Sequence, residues 1–229
     1  MRRPWLVLLV PAREVGVKTV YEAIKAAVVT GAVDVLQLRA TEGDEEREVK
    51  KAGSQLNRLL QSQQGTRLLV NCPSMELAAG VGAHGWHVKE RELSVKGVEG
   101  RIRDAKMRHL SVGVSVHSVE SALLAAQYDV GYLQVGTMFP TASHPEKDQA
   151  EGPQLLQAIR DTQKNGSIMP PLIAVGGIQT QEHVDQVLTA GADGIAVIRG
   201  ILTASDPTEA TLAYRQWMDQ HERQSNNQV

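Results

Sequence analysis

The sequence predicts an α/β fold, a single TIM-type (β/α)₈ barrel, because short apolar strands alternate with helical segments along nearly the whole chain. The alternation repeats eight times, which is the first of two observations behind this prediction. The second is that helices end at a glycine just before the next strand, as in TGAVDVLQL from Thr30, VGAHGWHV from Val81, AGADGIAV from Ala190 and the degenerate YDVGYLQV from Tyr128. A doubly wound open sheet would give a similar local pattern, and the strand count favours the closed barrel.

The individual elements follow from the period of the apolar residues. Strands are expected where short apolar runs lie between turn residues, at 6–10, 35–39, 67–71, 85–88, 109–115, 132–136, 172–176 and 194–198. Helices are expected where apolar residues recur at helical spacing, over 19–29, 45–64 and 119–127. A further helix between the last two strands opens at Thr180 or Gln181 and stops at Gly191.

Length and composition indicate one domain and argue against several functional classes. With 229 residues, 42% of them apolar, the chain fits one barrel over 1–220 and a polar tail over 221–229 that we expect to fray. A net charge of -2 without a basic stripe argues against nucleic acid as a partner. The single cysteine excludes an internal disulfide framework and suits a cytoplasmic location. The apolar run from Trp5 to Val10 is too short for a secretory signal, and no run approaches the roughly 20 residues of a membrane span, so no membrane partner is expected.

Two consecutive strand ends near the C-terminus carry the signal of a phosphate site. The apolar run from Leu172 ends at Gly176 and Gly177, and the strand from Gly194 closes on Arg199. Glycines at such junctions let an anion approach backbone N–H groups, and neighbouring strand-to-helix loops of this kind are a frequent phosphate site in (β/α)₈ barrels. One glycine pair alone is a weak signal, because it could simply make a tight turn. The two adjacent junctions together favour phosphate binding.

Further candidates follow from the rule that ligands of such barrels lie at the C-terminal ends of the strands. The residues at the predicted ends include Gln37, Arg39, Asn71, Cys72, the segment from His87 to Glu92, Ser115, His117 and Thr137. The polar segment 140–153, PTASHPEKDQAEGP, is too long for an ordinary connection, so we expect a mobile loop over the site. A solvated surface excursion is the alternative.

Several segments, taken in their order along the chain, resemble one family. They are LQLR and LLVN at two strand ends, then VGVSVHSVESALLAA, GYLQVGTMFPTAS, AVGGI and AGADGIAVIRGI. In this combination, residues 6–217 resemble the thiamin-phosphate synthase and TenI superfamily. The resemblance implies a TIM barrel that binds thiazole phosphate or thiamin phosphate as its small-molecule ligand in thiamin biosynthesis.

The resemblance also implies roles for particular residues. By motif, the phosphate would be held by Gly176, Gly177, Ile198 and Arg199, with hydroxyl donors from Thr141 and Ser143. The residues expected to contact the rest of the ligand are Gln37, Arg39, Asn71, Ser115 and Thr137. Arg199 either adds a charge-assisted contact or points to solvent, and the sequence leaves both open.

Departures from the synthase pattern argue against pyrophosphate transfer. That reaction needs Mg²⁺ held by carboxylates, and Cys72 stands where the family has an aspartate beside Asn71. Two family lysines are replaced by Thr41 and His144, and the acidic position after the fourth strand is Glu92. We therefore expect no metal site and no cofactor, with Mg²⁺ needed only if the chain is a synthase after all.

The TenI branch includes thiazole tautomerases, which move a proton without a metal and need a general acid and base near neutral pKa. Thr137 replaces the catalytic histidine of that branch, so His144, His117 and Cys72 are the candidate catalytic residues. Plainer interpretations exist for all three: a solvated loop residue, a structural hydrogen-bonding residue and a small buried apolar residue, respectively. The sequence therefore favours an isomerase, a thiazole tautomerase. A thiamin-phosphate synthase, which is a transferase, and a non-catalytic thiazole-phosphate binder are the alternatives, and a homodimer stays open.

Overall fold

The computed structural model shows a closed barrel of eight parallel strands with helices around it. It describes residues 4–40, 43–63, 65–141, 150–163 and 166–226. The strands are β1 (Trp5–Pro11), β2 (Val35–Arg39), β3 (Arg67–Asn71), β4 (Gly85–Val88), β5 (Ser111–Val116), β6 (Tyr132–Gly136), β7 (Leu172–Val175) and β8 (Gly194–Val197). Neighbours pair in chain order, and β8 pairs back to β1 with Leu8 opposite Val197. The predicted (β/α)₈ barrel is therefore confirmed.

Helices occupy the outside of the barrel. They are α1 (Lys18–Val29), α2 (Glu46–Leu60), α3 (Met75–Gly80), α4 (Val98–Met107), α5 (Val119–Ala126), α6 (Gln154–Gln163), α7 (Gln181–Thr189), α8 (Arg199–Leu202) and α9 (Pro207–Asn226). Thr180 caps α7, because its side chain accepts a hydrogen bond from the His183 N–H at 3.2 Å. Across the described residues, no helix combines the length and the apolar character that spanning a bilayer requires.

Several element boundaries differ from the sequence prediction for local backbone reasons. β5 begins later than predicted, because His109 has a left-handed φ of 61° that no strand residue can adopt. β7 ends before Gly176, where a φ of 105° turns the chain, and β8 ends before Ile198, which is the N-cap residue of α8. Helix α2 stops at Leu60, short of the predicted end, and α9 continues beyond residue 220 into the segment predicted as a tail.

The repeated glycine-to-strand segments have a common role at the N-terminal end of the barrel. In the first copy, Asp34 accepts a hydrogen bond from the Leu6 N–H at 2.8 Å. In a later copy, Asp193 accepts one from the Leu172 N–H at 2.7 Å. Each carboxylate also contacts an arginine from a surrounding helix. These contacts anchor a backbone N–H at the start of another strand and fix the end of the barrel that lies opposite the candidate site.

The barrel interior changes character along its axis. One cluster of interior side chains is apolar and includes Val7, Leu9, Val35, Leu69, Ile173 and Ala196. Toward the C-terminal ends of the strands the buried interior residues are polar, namely Gln37, Asn71, His87 and Gln134. Burying such side chains costs free energy unless they are hydrogen-bonded, and strand C-terminal ends are where (β/α)₈ barrels carry their sites, so this polar layer marks the candidate site.

Candidate active site

A cavity of about 940 Å³ opens at the C-terminal ends of the strands. Most of the residues expected from the sequence line it, namely Gln37, Arg39, Asn71, Ser115, His117, Thr137, Thr141, Gly176, Gly177, Ile198 and Arg199. Three of the residues discussed above, Thr41, Ser143 and His144, lie outside the described residues, as does most of the predicted loop over the site. Cys72 is buried and is not among the described lining residues. The binding roles of the lining residues stay predictions.

One side of the cavity, which we call the glycine wall, consists of Gly176, Gly177, Ile198, Arg199 and Gly200. These residues follow β7 and β8, which are adjacent strands. The first N–H groups of a helix have no acceptor within the helix, so the start of α8 directs backbone donors toward the strand ends. The glycine wall therefore offers mainly backbone N–H groups, as the sequence predicted for a phosphate site.

Glycine is required at the first two positions of this wall. Gly176 has a φ of 105°, and a Cβ there would lie 2.5 Å from Thr137 Cγ2. Gly177 has a φ of 67°, and a Cβ there would lie 2.5 Å from the Phe139 carbonyl oxygen. The Phe139 ring stacks on His183 with their centroids 3.9 Å apart, and the Phe139 N–H donates to the Gly176 carbonyl at 3.0 Å. The loop after β7 is thus held by the loop after β6.

Arg199 brings a positive charge to the glycine wall. Its Nη2 donates a hydrogen bond to Thr141 Oγ1 at 2.9 Å, and both residues line the cavity. The guanidinium thus points toward the loop after β6, and its contact with a phosphate stays a prediction. A guanidinium beside backbone N–H groups is a suitable partner for a phosphate dianion.

The opposite side of the cavity carries cationic side chains, and we call it the cationic wall: Arg39, Lys89 and Arg91. Arg39 ends β2, while Lys89 and Arg91 follow β4. In the closed barrel β3 lies four strands from β7, so the cationic wall faces the glycine wall across the cavity. The cavity therefore has two positively polarised sides of different construction, one from backbone and one from side chains.

Between the two walls lies a buried amide pair that the sequence analysis missed. Gln134 Nε2 donates to Gln37 Oε1 at 2.6 Å, and both side chains line the cavity. The pairing leaves the amide nitrogen of Gln37 and the amide oxygen of Gln134 for a ligand. A signal for Gln134 was present, because it is a polar residue in the otherwise apolar strand YLQVG, but its pairing depends on register across the barrel.

His87 lies in the polar layer directly below the cavity. Its Nδ1 is 2.9 Å from the Tyr132 hydroxyl, and its Nε2 is 2.8 Å from Ser115 Oγ. Full burial lowers the pKa of His87 to about 3, so the imidazole is neutral near neutral pH. The same desolvation raises the pKa of Tyr132, so its hydroxyl keeps its proton. The group acts as a set of neutral hydrogen-bonding side chains.

The candidate catalytic residues from the sequence do not come together in the described part of the chain. His117 lines the cavity at its rim, where its half-exposed side chain contacts the Glu90 carboxylate. Cys72 Sγ donates to the Ser74 carbonyl at 3.0 Å, and burial raises the pKa of this thiol to about 12. A neutral buried thiol is neither a base nor a metal ligand at neutral pH. His144 cannot be placed relative to either.

The described residues do not fit a magnesium ion held by carboxylates. Glu92 accepts a hydrogen bond from the Lys89 N–H at 3.1 Å, which closes a short helical turn, and Glu90 contacts His117. The residue that follows Asn71 is Cys72, which offers a thiol and not a carboxylate. Among the described residues there is no group of three or more histidine, cysteine, aspartate or glutamate side chains that could hold a metal ion. Mg²⁺ prefers several oxygen ligands, and among the described lining residues Glu90 is the one carboxylate, beside Arg39, Lys89 and Arg91.

Comparison with known proteins gives consistent results. The profile of the family described as thiamine monophosphate synthase (TMP-TENI) matches residues 6–201. The thiamine-phosphate synthase of Geobacillus thermodenitrificans is 34% identical over 188 residues, which is 80% of this chain and 78% of that protein. The thiamine-phosphate synthase of Haloquadratum walsbyi is 34% identical over 83% of this chain and 80% of its own length. The solved thiamine phosphate pyrophosphorylase of Pyrococcus furiosus is 26% identical, with a TM-score of 0.75 over 95% of this chain and 96% of that one.

These relatives correct one expectation from the sequence. The preferred tautomerase function, an isomerase activity, is wrong, because the relatives that match most of the chain are thiamine-phosphate synthases. The departures at Cys72, Thr41 and His144 were interpreted as damage to a synthase site. That interpretation counted the lost residues without Lys89 and Arg91, which line the same cavity as Arg39 in this chain.

Proposed function

Because the chain belongs to the thiamine monophosphate synthase family of enzymes, we propose that it is a thiamin-phosphate synthase, a transferase that joins hydroxymethylpyrimidine pyrophosphate to thiazole phosphate. The thiazole ring nitrogen forms a bond to the pyrimidine methylene carbon while the bond from that carbon to pyrophosphate breaks. The observation that carries the proposal is one cavity with two facing, positively polarised walls. Each substrate has one anionic group, so each can use a separate wall.

The glycine wall suits the thiazole phosphate. A phosphate dianion is well satisfied by backbone N–H groups, which are already fixed in place and need no side-chain ordering. Gly176 and Gly177 let the anion approach closely, and Arg199 adds a charge-assisted contact beside Thr141. With its phosphate held there, the thiazole ring extends toward the centre of the cavity.

The cationic wall suits the pyrophosphate. Negative charge grows on the departing pyrophosphate as its bond to carbon breaks, and fixed cations beside it stabilise the transition state. Arg39, Lys89 and Arg91 supply these charges from the ends of β2 and β4. Asn71, which lies between them at the end of β3, and the amide of Gln37 offer uncharged polar contacts to the pyrimidine part of the same substrate.

The proposed reaction also agrees with the neutral state of His87 below the cavity. A ring nitrogen attacks with its lone pair, so the step depends on charge stabilisation and alignment more than on a titrating base. His87 has a pKa of about 3 and therefore donates and accepts hydrogen bonds without exchanging charge near neutral pH. This is less suited to the proton transfer that a tautomerase performs.

The direct test is a condensation assay. The purified chain is mixed with hydroxymethylpyrimidine pyrophosphate and thiazole phosphate in buffer containing magnesium, and thiamin phosphate is quantified by chromatography against an enzyme-free blank. We expect many turnovers per chain and one pyrophosphate released for each thiamin phosphate formed. Absence of product, together with measurable binding of thiazole phosphate by calorimetry, would replace the synthase with a non-catalytic binder. The expected homodimer stays a prediction that sedimentation of the same sample would test.

A further inference from the structure

Three side chains form a hydrogen-bonded row from the barrel interior to the cavity. The Tyr132 hydroxyl lies 2.9 Å from His87 Nδ1, and His87 Nε2 lies 2.8 Å from Ser115 Oγ. Tyr132 and His87 are 2% and 0% exposed, whereas Ser115 lines the cavity. A serine next to a histidine suggests a nucleophile activated by a base. Here Tyr132, on the other side of the histidine, determines which group donates in each hydrogen bond.

The fold fixes the position of Tyr132. In the sheet register, Gly113 of β5 lies between His87 of β4 and Tyr132 of β6. A Cβ at Gly113 would lie 2.0 Å from Tyr132 Cζ, so only glycine lets the tyrosine ring cross this strand and reach the histidine. The opposite side of the ring faces Trp5, with centroids 6.2 Å apart. The hydroxyl is thus held at His87 Nδ1.

The direction of the first hydrogen bond follows from burial. A phenol hydroxyl that keeps its proton inside a protein needs an acceptor, because an unsatisfied buried donor costs roughly 1 to 3 kcal/mol. In the described part of the chain, the hydrogen-bond partner of this hydroxyl is His87 Nδ1. Tyr132 therefore donates, and Nδ1 is the unprotonated nitrogen of the ring.

The direction of the second hydrogen bond follows from the first. A neutral imidazole carries one proton, and with Nδ1 accepting, that proton is on Nε2. Nε2 then donates to Ser115 Oγ. The hydroxyl proton of Ser115 cannot point back at the histidine, so it is free to point into the cavity.

We propose that Tyr132 and His87 are positioning residues that fix Ser115 as a hydrogen-bond donor toward an acceptor atom of the bound substrate, and that Ser115 is therefore not a nucleophile. The direction of the hydrogen bonds is independent of the reaction. Only the identity of the acceptor, an atom of one of the two substrates, rests on the proposed function.

The first test is the tautomer of His87 in the ligand-free protein. Nitrogen NMR of protein with isotopically labelled histidine distinguishes protonated from unprotonated ring nitrogens, and the His87 signals are those lost in His87→Gln. If that variant does not fold, couplings between the ring protons and ring nitrogens assign the same signals. We expect a single tautomer with the proton on Nε2 at neutral pH. A proton on Nδ1, or an even mixture of tautomers, overturns the proposal.

The second test removes the Tyr132 hydroxyl, which sets the direction of both hydrogen bonds. Tyr132→Phe keeps the ring but leaves Nδ1 without a donor, so we expect the His87 signals to change to a mixture of tautomers. A purely structural role for Tyr132 would lower stability and leave the tautomer unchanged, which would contradict the proposal.

The third test concerns Ser115 in the condensation assay. Ser115→Ala should lower kcat/KM roughly 5- to 10-fold through loss of one hydrogen bond. Ser115→Thr keeps a hydroxyl and should therefore retain most of the wild-type kcat/KM. Ser111→Ala, at the other end of the same strand, is the matched control. Complete loss of turnover in Ser115→Ala would indicate a nucleophile and overturn the proposal. If the wild-type chain shows the expected tautomer but no condensation, the proposed function fails and the hydrogen-bond direction stands.

Discussion

The two walls of the cavity, each proposed to bind an anionic group, are built by different means. The glycine wall uses backbone N–H groups whose positions are set by φ angles and by close packing against Phe139. The cationic wall uses Arg39, Lys89 and Arg91, long side chains that extend from strand ends and loops. The difference shows which parts of a site tolerate sequence change. A backbone site fails when one Cβ is added, whereas long charged side chains can reach the same place from different positions.

The largest expected effect comes from the cationic wall. Arg39→Ala should lower kcat/KM for the pyrimidine pyrophosphate on the order of 10²- to 10³-fold, because it removes a fixed charge that stabilises the leaving group. The KM for thiazole phosphate should change little. Lys50→Ala, which removes an exposed cation from α2, is the control. Steady-state kinetics with each substrate varied in turn measures kcat and both KM values, and a KM for thiazole phosphate that rises as much as the KM for the pyrimidine pyrophosphate would contradict separate walls.

The next effect tests the backbone construction of the glycine wall. Gly177→Ala should raise the KM for thiazole phosphate roughly 10- to 100-fold, because its Cβ meets the Phe139 carbonyl and displaces the loop. Left-handed strain alone lowers the free energy of unfolding by about 1 to 2 kcal/mol. Gly31→Ala is a matched control, since Gly31 has a φ of 68° and no atom within 4 Å of an added Cβ. Denaturation and kinetics of both variants separate the effect of backbone strain from the effect of the contact with the Phe139 carbonyl. Equal KM values for thiazole phosphate in the two variants would refute phosphate binding at the glycine wall.

A smaller effect is expected where the glycine wall uses a side chain. Arg199→Ala should raise the KM for thiazole phosphate roughly 10-fold through loss of one charge-assisted hydrogen bond, with kcat nearly unchanged. Thr141→Val breaks the hydrogen bond from Arg199 without removing the charge, and it should cost roughly 3-fold or less. If Thr141→Val raised the KM for thiazole phosphate as much as Arg199→Ala does, the guanidinium would act by stabilising the loop after β6 and not by contacting the phosphate.

The smallest effect is expected at Cys72, which stands at the position of the family's aspartate on the cationic side. Cys72→Ala should leave kcat/KM within about 2-fold, because the thiol is buried and its pKa of about 12 keeps it neutral. The free energy of unfolding should fall by about 1 kcal/mol from the small cavity created. A loss of activity of 10-fold or more would show that this position still takes part in catalysis.

The sequence predicted the barrel, which the structure confirms, and it marked Gly176 and Gly177, which line the cavity and whose phosphate binding stays a prediction. Apolar periodicity and glycines are local signals, and Gly176 and Gly177 mark a backbone conformation that other residues rarely adopt. The rule that strand ends face the ligand then located Arg39, Asn71 and Ser115 at one cavity. The predicted element boundaries were less accurate where a single backbone dihedral angle sets the end of an element, as the left-handed φ of His109 does at the start of β5.

The remaining features depend on contacts between distant strands, which a single sequence does not encode locally. Gln134 meets Gln37 across the barrel, and Tyr132 reaches His87 only because Gly113 lies between them. The preference for a tautomerase was wrong for a related reason. Replaced family residues such as Cys72 are visible in the sequence, but the positions at which other cations line the same cavity are visible only in the folded chain.

The central claim is that the cavity holds two anionic groups at once on separate walls. It is tested most directly by calorimetric titration of inorganic pyrophosphate into the wild-type chain already saturated with thiazole phosphate. We expect pyrophosphate to bind the saturated protein with one site per chain and an affinity within roughly 5-fold of that for the ligand-free protein. Displacement of thiazole phosphate by pyrophosphate, seen as an apparent affinity that falls in proportion to the thiazole phosphate concentration, would show a single shared anion site and contradict the account.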